Sequence, residues 1–125
     1  MARLEHVNIT VSDPQRSAAL MDTLFGWKIR WEGASMNNGY TVHVGDEDDY
    51  LAFYAPPKIT KTDIDNGVTL SGLNHVALVV DDLDATEARV LNAGLKTINH
   101  ADYEPGRRFY FHDHDGIEYE IVSYA

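Results

Sequence analysis

The chain has 125 residues, no cysteine, 44% hydrophobic and 24% charged residues, and a formal charge of -10. The length suits one domain able to bury about two-thirds of its unfolded surface. The lack of cysteine excludes disulfides, thiolate nucleophiles and cysteine zinc sites, and leaves histidine and carboxylate as the strong metal ligands. The negative charge and the absence of a basic stripe argue against nucleic acid, and no apolar run approaches the roughly 20 residues of a membrane span. The N-terminus enters a strand pattern without an apolar leader, so the expected location is cytoplasmic.

In chain order, Val7, Ile9 and Val11 alternate with His6, Asn8 and Thr10, the period of a half-buried strand. Ser12, Asp13 and Pro14 supply an N-cap and a first-turn proline, which predicts a helix to about Phe25, closed by Gly26. Strands follow near Trp27 to Trp31, in "NGYTVHVG" and in "YLAFYA". "PPKITKTDIDNGVTLSG", residues 56–72, is rich in Pro, Gly, Thr and Asp and reads as a connector. The plan then repeats. Val76, Leu78 and Val80 alternate with His75 and Ala77, Asp81 or Asp82 caps a helix from Leu83 to about Ala93, and Gly94 closes it. The last strands are predicted at Lys96 to Asn99, in "RRFYFHD" and in "IEYEIVS".

The two halves are repeats. "LEHVNITVSDPQ" returns as "LNHVALVVDDLD" with an offset of 69 (75 - 6) between His6 and His75, and an offset of 68 aligns Leu24 to Ile29 with Asn92 to Thr97. The expected organisation is α+β: two tandem βαβββ modules, residues 1–55 and 73–125, whose curved mixed sheets surround a cleft in a single domain, residues 1–125, paired in a homodimer.

Strand alternation assigns faces. With Val7, Ile9 and Val11 under the helix, His6 and Asn8 face away from it. His75 does the same in the second module, and Glu118 and Glu120 share that face once Tyr119 and Ile121 are taken as core. Two histidines at equivalent positions and a carboxylate make a candidate metal site of His6, His75 and Glu120. Glu118 competes, but the repeat selects Glu120, because 52 + 68 = 120 places it opposite Ala52.

Arg108, Tyr110 and His112 fall on the same face as the ligands if Phe109 and Phe111 are core. His112 is a candidate general base or anion contact, with Tyr110 beside it. Arg108 suits a substrate carboxylate or an ion pair within the protein. Tyr50 and Tyr54 flank Ala52 and, with Asn8, are candidates to line a substrate pocket. His43 is expected on the helix side and structural. The acids Asp46 to Asp49 lack the spacing of a calcium loop and read as a solvated turn.

The segments "EHVNITVSDPQRSAALMDTLFGW", "NHVALVVDDLDA" and "FYFHDHDGIEYEI" resemble the vicinal oxygen chelate superfamily of glyoxalases, bleomycin resistance proteins and dioxygenases, with His114 in place of the usual proline of the final turn. The resemblance implies a divalent ion (Fe, Mn, Ni, Zn or Mg) held by His6, His75 and Glu120. It also implies a small substrate that chelates through vicinal oxygens, in lyase, isomerase or transferase chemistry. Ala52 falls where glyoxalase I enzymes place a fourth ligand, which tells against that assignment. The fosfomycin-modifying members would want a basic residue shortly after Glu120, and none follows. Two alternatives stay open: a metal-free, drug-sequestering protein of the bleomycin-resistance type, and an extradiol ring-cleaving dioxygenase with His100 as acid/base group.

Overall fold

Both helices begin and end on the residues that the sequence marks. In the computed structural model, which describes residues 1–103 and 106–125, α1 spans Pro14–Phe25. The Asp13 side chain accepts from the Arg16 amide at 3.2 Å, and Gly26 closes the helix at φ 70°, a left-handed conformation that suits glycine. Its buried stripe of Pro14, Ser17, Ala18, Met21 and Leu24 follows helical spacing. The second helix, α2, spans Leu83–Asn92 under an Asp82 cap that accepts from the Ala85 amide at 3.0 Å.

Two compact units divide between Lys61 and Thr62, inside the segment expected to be the connector. In the first, β1 (His6–Thr10), β2 (Lys28–Ala34), β3 (Tyr40–Gly45) and β4 (Tyr50–Ala55) form a sheet of order β1-β4-β3-β2. In the second, β5 (Val76–Val79), β6 (Thr97–Tyr103), β7 (Gly106–His112) and β8 (Glu118–Ser123) repeat it as β5-β8-β7-β6. The first and last strands of each unit pair parallel and the others antiparallel, so each unit is a mixed βαβββ module. The fold is thus the expected α+β tandem.

Each sheet buries one face under its helix. In the first unit that face carries Ile9, Val42, Val44, Leu51 and Phe53. In the second it carries Leu78, Phe109, Phe111, Tyr119 and Ile121, with Phe111 stacked on Tyr119 at 5.1 Å. Each large apolar side chain so buried contributes about 1.5–3 kcal/mol.

β2 and β6 run longer than expected because each passes through a bulge and pairs again beyond it. The register shifts between Ile29 and Trp31 and between Ile98 and Ala101. A bulge adds a residue without ending the strand, so simple alternation fails there.

Candidate metal centre and the two open sheet faces

Register confirms the equivalence that the repeat implies. Ala52 pairs with Asn8 on one side and His43 on the other, while Glu120 pairs with Ala77 and Tyr110. Ala52 and Glu120 therefore hold the same place in their units.

In the second unit, His75 and Glu120 come together. His75 Nε2 lies 3.0 Å from Glu120 Oε1, and His75 Nδ1 lies 2.7 Å from Asn74 Oδ1. With an oxygen acceptor on Nδ1, that nitrogen is the donor, and Nε2 is the atom that faces the carboxylate. A lone pair facing a carboxylate oxygen at 3.0 Å requires a proton or a cation between them. The separation also fits adjacent corners of a coordination sphere, since metal bonds of about 2.1 Å at right angles place ligand atoms about 3.0 Å apart. His6 is set up the same way by its own preceding residue, with Nδ1 2.8 Å from Glu5 Oε1. An oxygen acceptor on the far ring nitrogen is the usual partner of a metal-ligating histidine. Among the described residues no group of three or more His, Cys, Asp or Glu is gathered closely enough to hold an ion. The second unit brings two of the three candidate ligands, His75 and Glu120, together, and His6 stands in the first.

The remaining oxygens of the centre are satisfied by neighbours. Arg108 Nη1 donates to Glu120 Oε2 at 2.8 Å, and its Nη2 to the Gly106 carbonyl at 3.3 Å, while its guanidinium lies 5.0 Å from the Tyr103 ring centre. Of the two readings of Arg108, the structure shows the ion pair within the protein. Glu118 stands between two histidines, 3.9 Å from His75 Nδ1 and 3.2 Å from His112 Nε2. Tyr110 meets His75 edge-on at 5.7 Å. Burial, then the Glu120 charge, pushes its phenol above the usual range, so it stays protonated at neutral pH. An open cleft of about 500 Å³ is lined by Asp65, Asn66, Asn74, His112 and Glu118.

The first unit's open face carries rings instead. His6 stacks on Tyr50 at 5.0 Å, Tyr50 meets His43 at 4.6 Å, and His43 meets Trp31 at 5.1 Å. His43 thus lies on the face of His6, not on the helix side as expected. Val42 and Val44 take the helix side, and their alternation in "TVHVG" was the signal for it. Burial, then His6 and Arg30, lowers the His43 imidazole, which favours its neutral form. Hydrogen bonds from His6 and Tyr50 hold the Glu5 carboxyl below its usual range, and burial, then Glu5, raises the Tyr50 phenol. Asn8 is exposed across from Ala52. Tyr54 bonds to the Met36 carbonyl at 2.8 Å and covers Gly39, where a side chain would collide with its ring.

His100 occupies neither open face. It stacks on Phe109, a helix-side residue, at 6.2 Å and pairs with Glu87 of α2 at 2.5 Å. His100, one of the two features behind the extradiol alternative, is thus engaged by α2 in this structure. The acids after Gly45 close a turn in which Asp46 accepts from the Asp48 and Asp49 amides at 2.9 and 3.1 Å, as expected of a solvated loop. Among the described residues no helix is long and apolar enough to cross a membrane.

The family model described as Glyoxalase/Bleomycin resistance protein/Dioxygenase superfamily matches residues 3–121. Among solved structures, a glyoxylase/bleomycin resistance protein/dioxygenase domain from Frankia sp. EAN1pec is 22% identical. The match covers 98% of each chain with a TM-score of 0.83. The fosfomycin resistance protein FosX from Mesorhizobium loti is 21% identical over 98% of this chain and 91% of its own, with a TM-score of 0.70. A mutant FosX from Listeria monocytogenes, complexed with Mn(II) and 1S,2S-dihydroxypropylphosphonic acid, is 14% identical over 98% of this chain and 92% of its own, with a TM-score of 0.72. No curated protein matches the chain by sequence.

Proposed function

The chain belongs to the glyoxalase, bleomycin resistance protein and dioxygenase superfamily, and from that premise we propose that it is a metal-dependent enzyme acting on a small substrate with two neighbouring oxygens. The observation that carries this reading is His75 Nε2 facing Glu120 Oε1 at 3.0 Å, with an acceptor on Nδ1 of the ligand histidine in both repeats. His75 and Glu120 would hold a divalent ion, with His6 as the ligand from the first repeat in the same chain or in the partner of a homodimer. Bound there, the ion supplies Lewis acidity to the substrate oxygens.

The protein's own groups then have definite tasks. Arg108 holds Glu120 Oε2 and so aims Oε1 at His75. Asn74 fixes the His75 tautomer. His112, exposed on the cleft and held through Nε2 by Glu118 at 3.2 Å, offers Nδ1 to take a substrate proton. Tyr110, kept neutral by burial, serves as a hydrogen-bond donor rather than a base. Tyr50 and Asn8 face any substrate that reaches the first unit.

The lyase, isomerase and transferase versions of this chemistry share the same ligands. The homodimer is part of the proposal, since Val68, Leu70 and Val79 remain exposed in the second unit. Calorimetric titration of Mn(II), Fe(II), Ni(II), Zn(II) and Mg(II) into chelator-stripped protein tests the centre. At least one ion should bind stoichiometrically, and His75→Ala and Glu120→Gln should each weaken it by about 100-fold, the scale of losing a ligand or its support. Absence of binding by every ion, or equal binding by both variants, overturns the enzyme reading.

A further inference from the structure

The open face of the first unit carries a row of rings across the whole sheet, one from each strand: His6 of β1, Tyr50 of β4, His43 of β3 and Trp31 of β2. Neighbouring centroids lie 5.0, 4.6 and 5.1 Å apart, the spacing of interacting aromatic rings. Trp31, at the edge of the row, remains 50% exposed. It lies over Gly33, where an added Cβ would stand 2.9 Å from the indole, so the absence of a side chain there leaves the indole its place.

A cation stands above this row. Arg30 has no partner in the β2–β3 register because it occupies the bulge between Ile29 and Trp31. Its guanidinium lies 4.4 Å over the Tyr50 ring. Among the described residues no carboxylate forms an ion pair with it. The acids whose charge it feels are otherwise engaged: Glu5 by His6 and Tyr50, and Asp46 by the amides of its own turn. A guanidinium on a ring face, short of an anion and beside a half-exposed indole, is complementary to a flat ring bearing a carboxylate.

We propose that the open face of the first unit binds a planar aryl carboxylate, its ring stacked on Trp31 and His43 and its carboxylate paired with Arg30. The site uses residues of the first unit alone and stands whether or not the second unit binds a metal ion.

The test is calorimetric titration of the whole protein with 2-naphthoate in excess EDTA, which removes any contribution from metal. Saturable binding is expected. Trp31→Ala and Arg30→Gln should each weaken it at least tenfold, and 1-naphthylmethylammonium should bind the parent at least tenfold less tightly than naphthoate. Arg30 is exposed, so Arg30→Gln tests the site even if Trp31→Ala fails to fold, and Trp31→Phe, which keeps a smaller ring, should lie between parent and Arg30→Gln. Several outcomes overturn the proposal: no binding at millimolar naphthoate, equal binding by Arg30→Gln, or preference for the ammonium probe. So does a shift of Trp31→Ala from dimer to monomer without ligand binding in the parent, because the row is then a contact between copies.

Discussion

The two open sheet faces share one register and almost no chemistry. Position by position, Ala52, Tyr50, Thr41 and Gly45 of the first unit correspond to Glu120, Glu118, Arg108 and His112 of the second. The ionic chain of the second unit runs from His112 through Glu118, His75 and Glu120 to Arg108, and the first unit answers it with stacked rings. The faces under the helices do not diverge in this way, since both are apolar and close-packed. A repeated fold is held by its helix-side faces, and the faces turned away from the helices are where repeats acquire separate roles.

Arg108 and Thr41 occupy matching positions, and their replacement should separate the faces most clearly. Arg108→Ala leaves Glu120, 10% exposed, with one cationic partner fewer, and unfolding by urea should show a loss of about 3–5 kcal/mol. Thr41 Oγ1 is buried without a hydrogen-bond partner among the described residues, so Thr41→Val should stabilise the protein by about 1 kcal/mol. Equal and small effects at both positions would erase the contrast. The helix caps test the opposite side of the comparison, where the repeats agree. Asp13→Ala and Asp82→Ala should each lower stability by about 1 kcal/mol in the same assay, because each cap bonds one amide of its helix.

The smallest effect is expected at the final turn of the second unit. Asp113 is buried and accepts from the Asp115 and Ile117 amides, yet burial raises its carboxyl above 3.8. The folded state therefore holds this proton more tightly than the unfolded chain. Its contribution is full below pH 3.8 and declines as pH rises through the folded value. Asp113→Asn keeps an accepting oxygen and loses the titration. Relative to the parent, its urea midpoint should improve across that window and then level off, by under about 1 kcal/mol.

Several parts of the site were legible in the chain because they follow from strand parity within short, uninterrupted segments. His75 and Glu120 were placed on one face by the apolar residues between and beside them, and the structure brings them to 3.0 Å. His43 was misplaced although Val42 and Val44 marked its face. Trp31 and Arg30 were not singled out, because the bulge in β2 breaks the parity that would have assigned them. His100 likewise lies at the bulge of β6, where alternation stops counting.

The sequence by itself determined the repeat, the α+β order, both helices, and the placing of His6, His75 and Glu120 on faces turned away from the helices. These depend on hydrogen bonds and periodicities spanning only a few residues. Only the tertiary structure decided that Arg108 spends its charge on Glu120, that His100 turns to Glu87, and that four rings from four strands make one row. Those contacts join residues distant in the chain, and their partners are chosen by strand order, register and bulges, which no local pattern encodes.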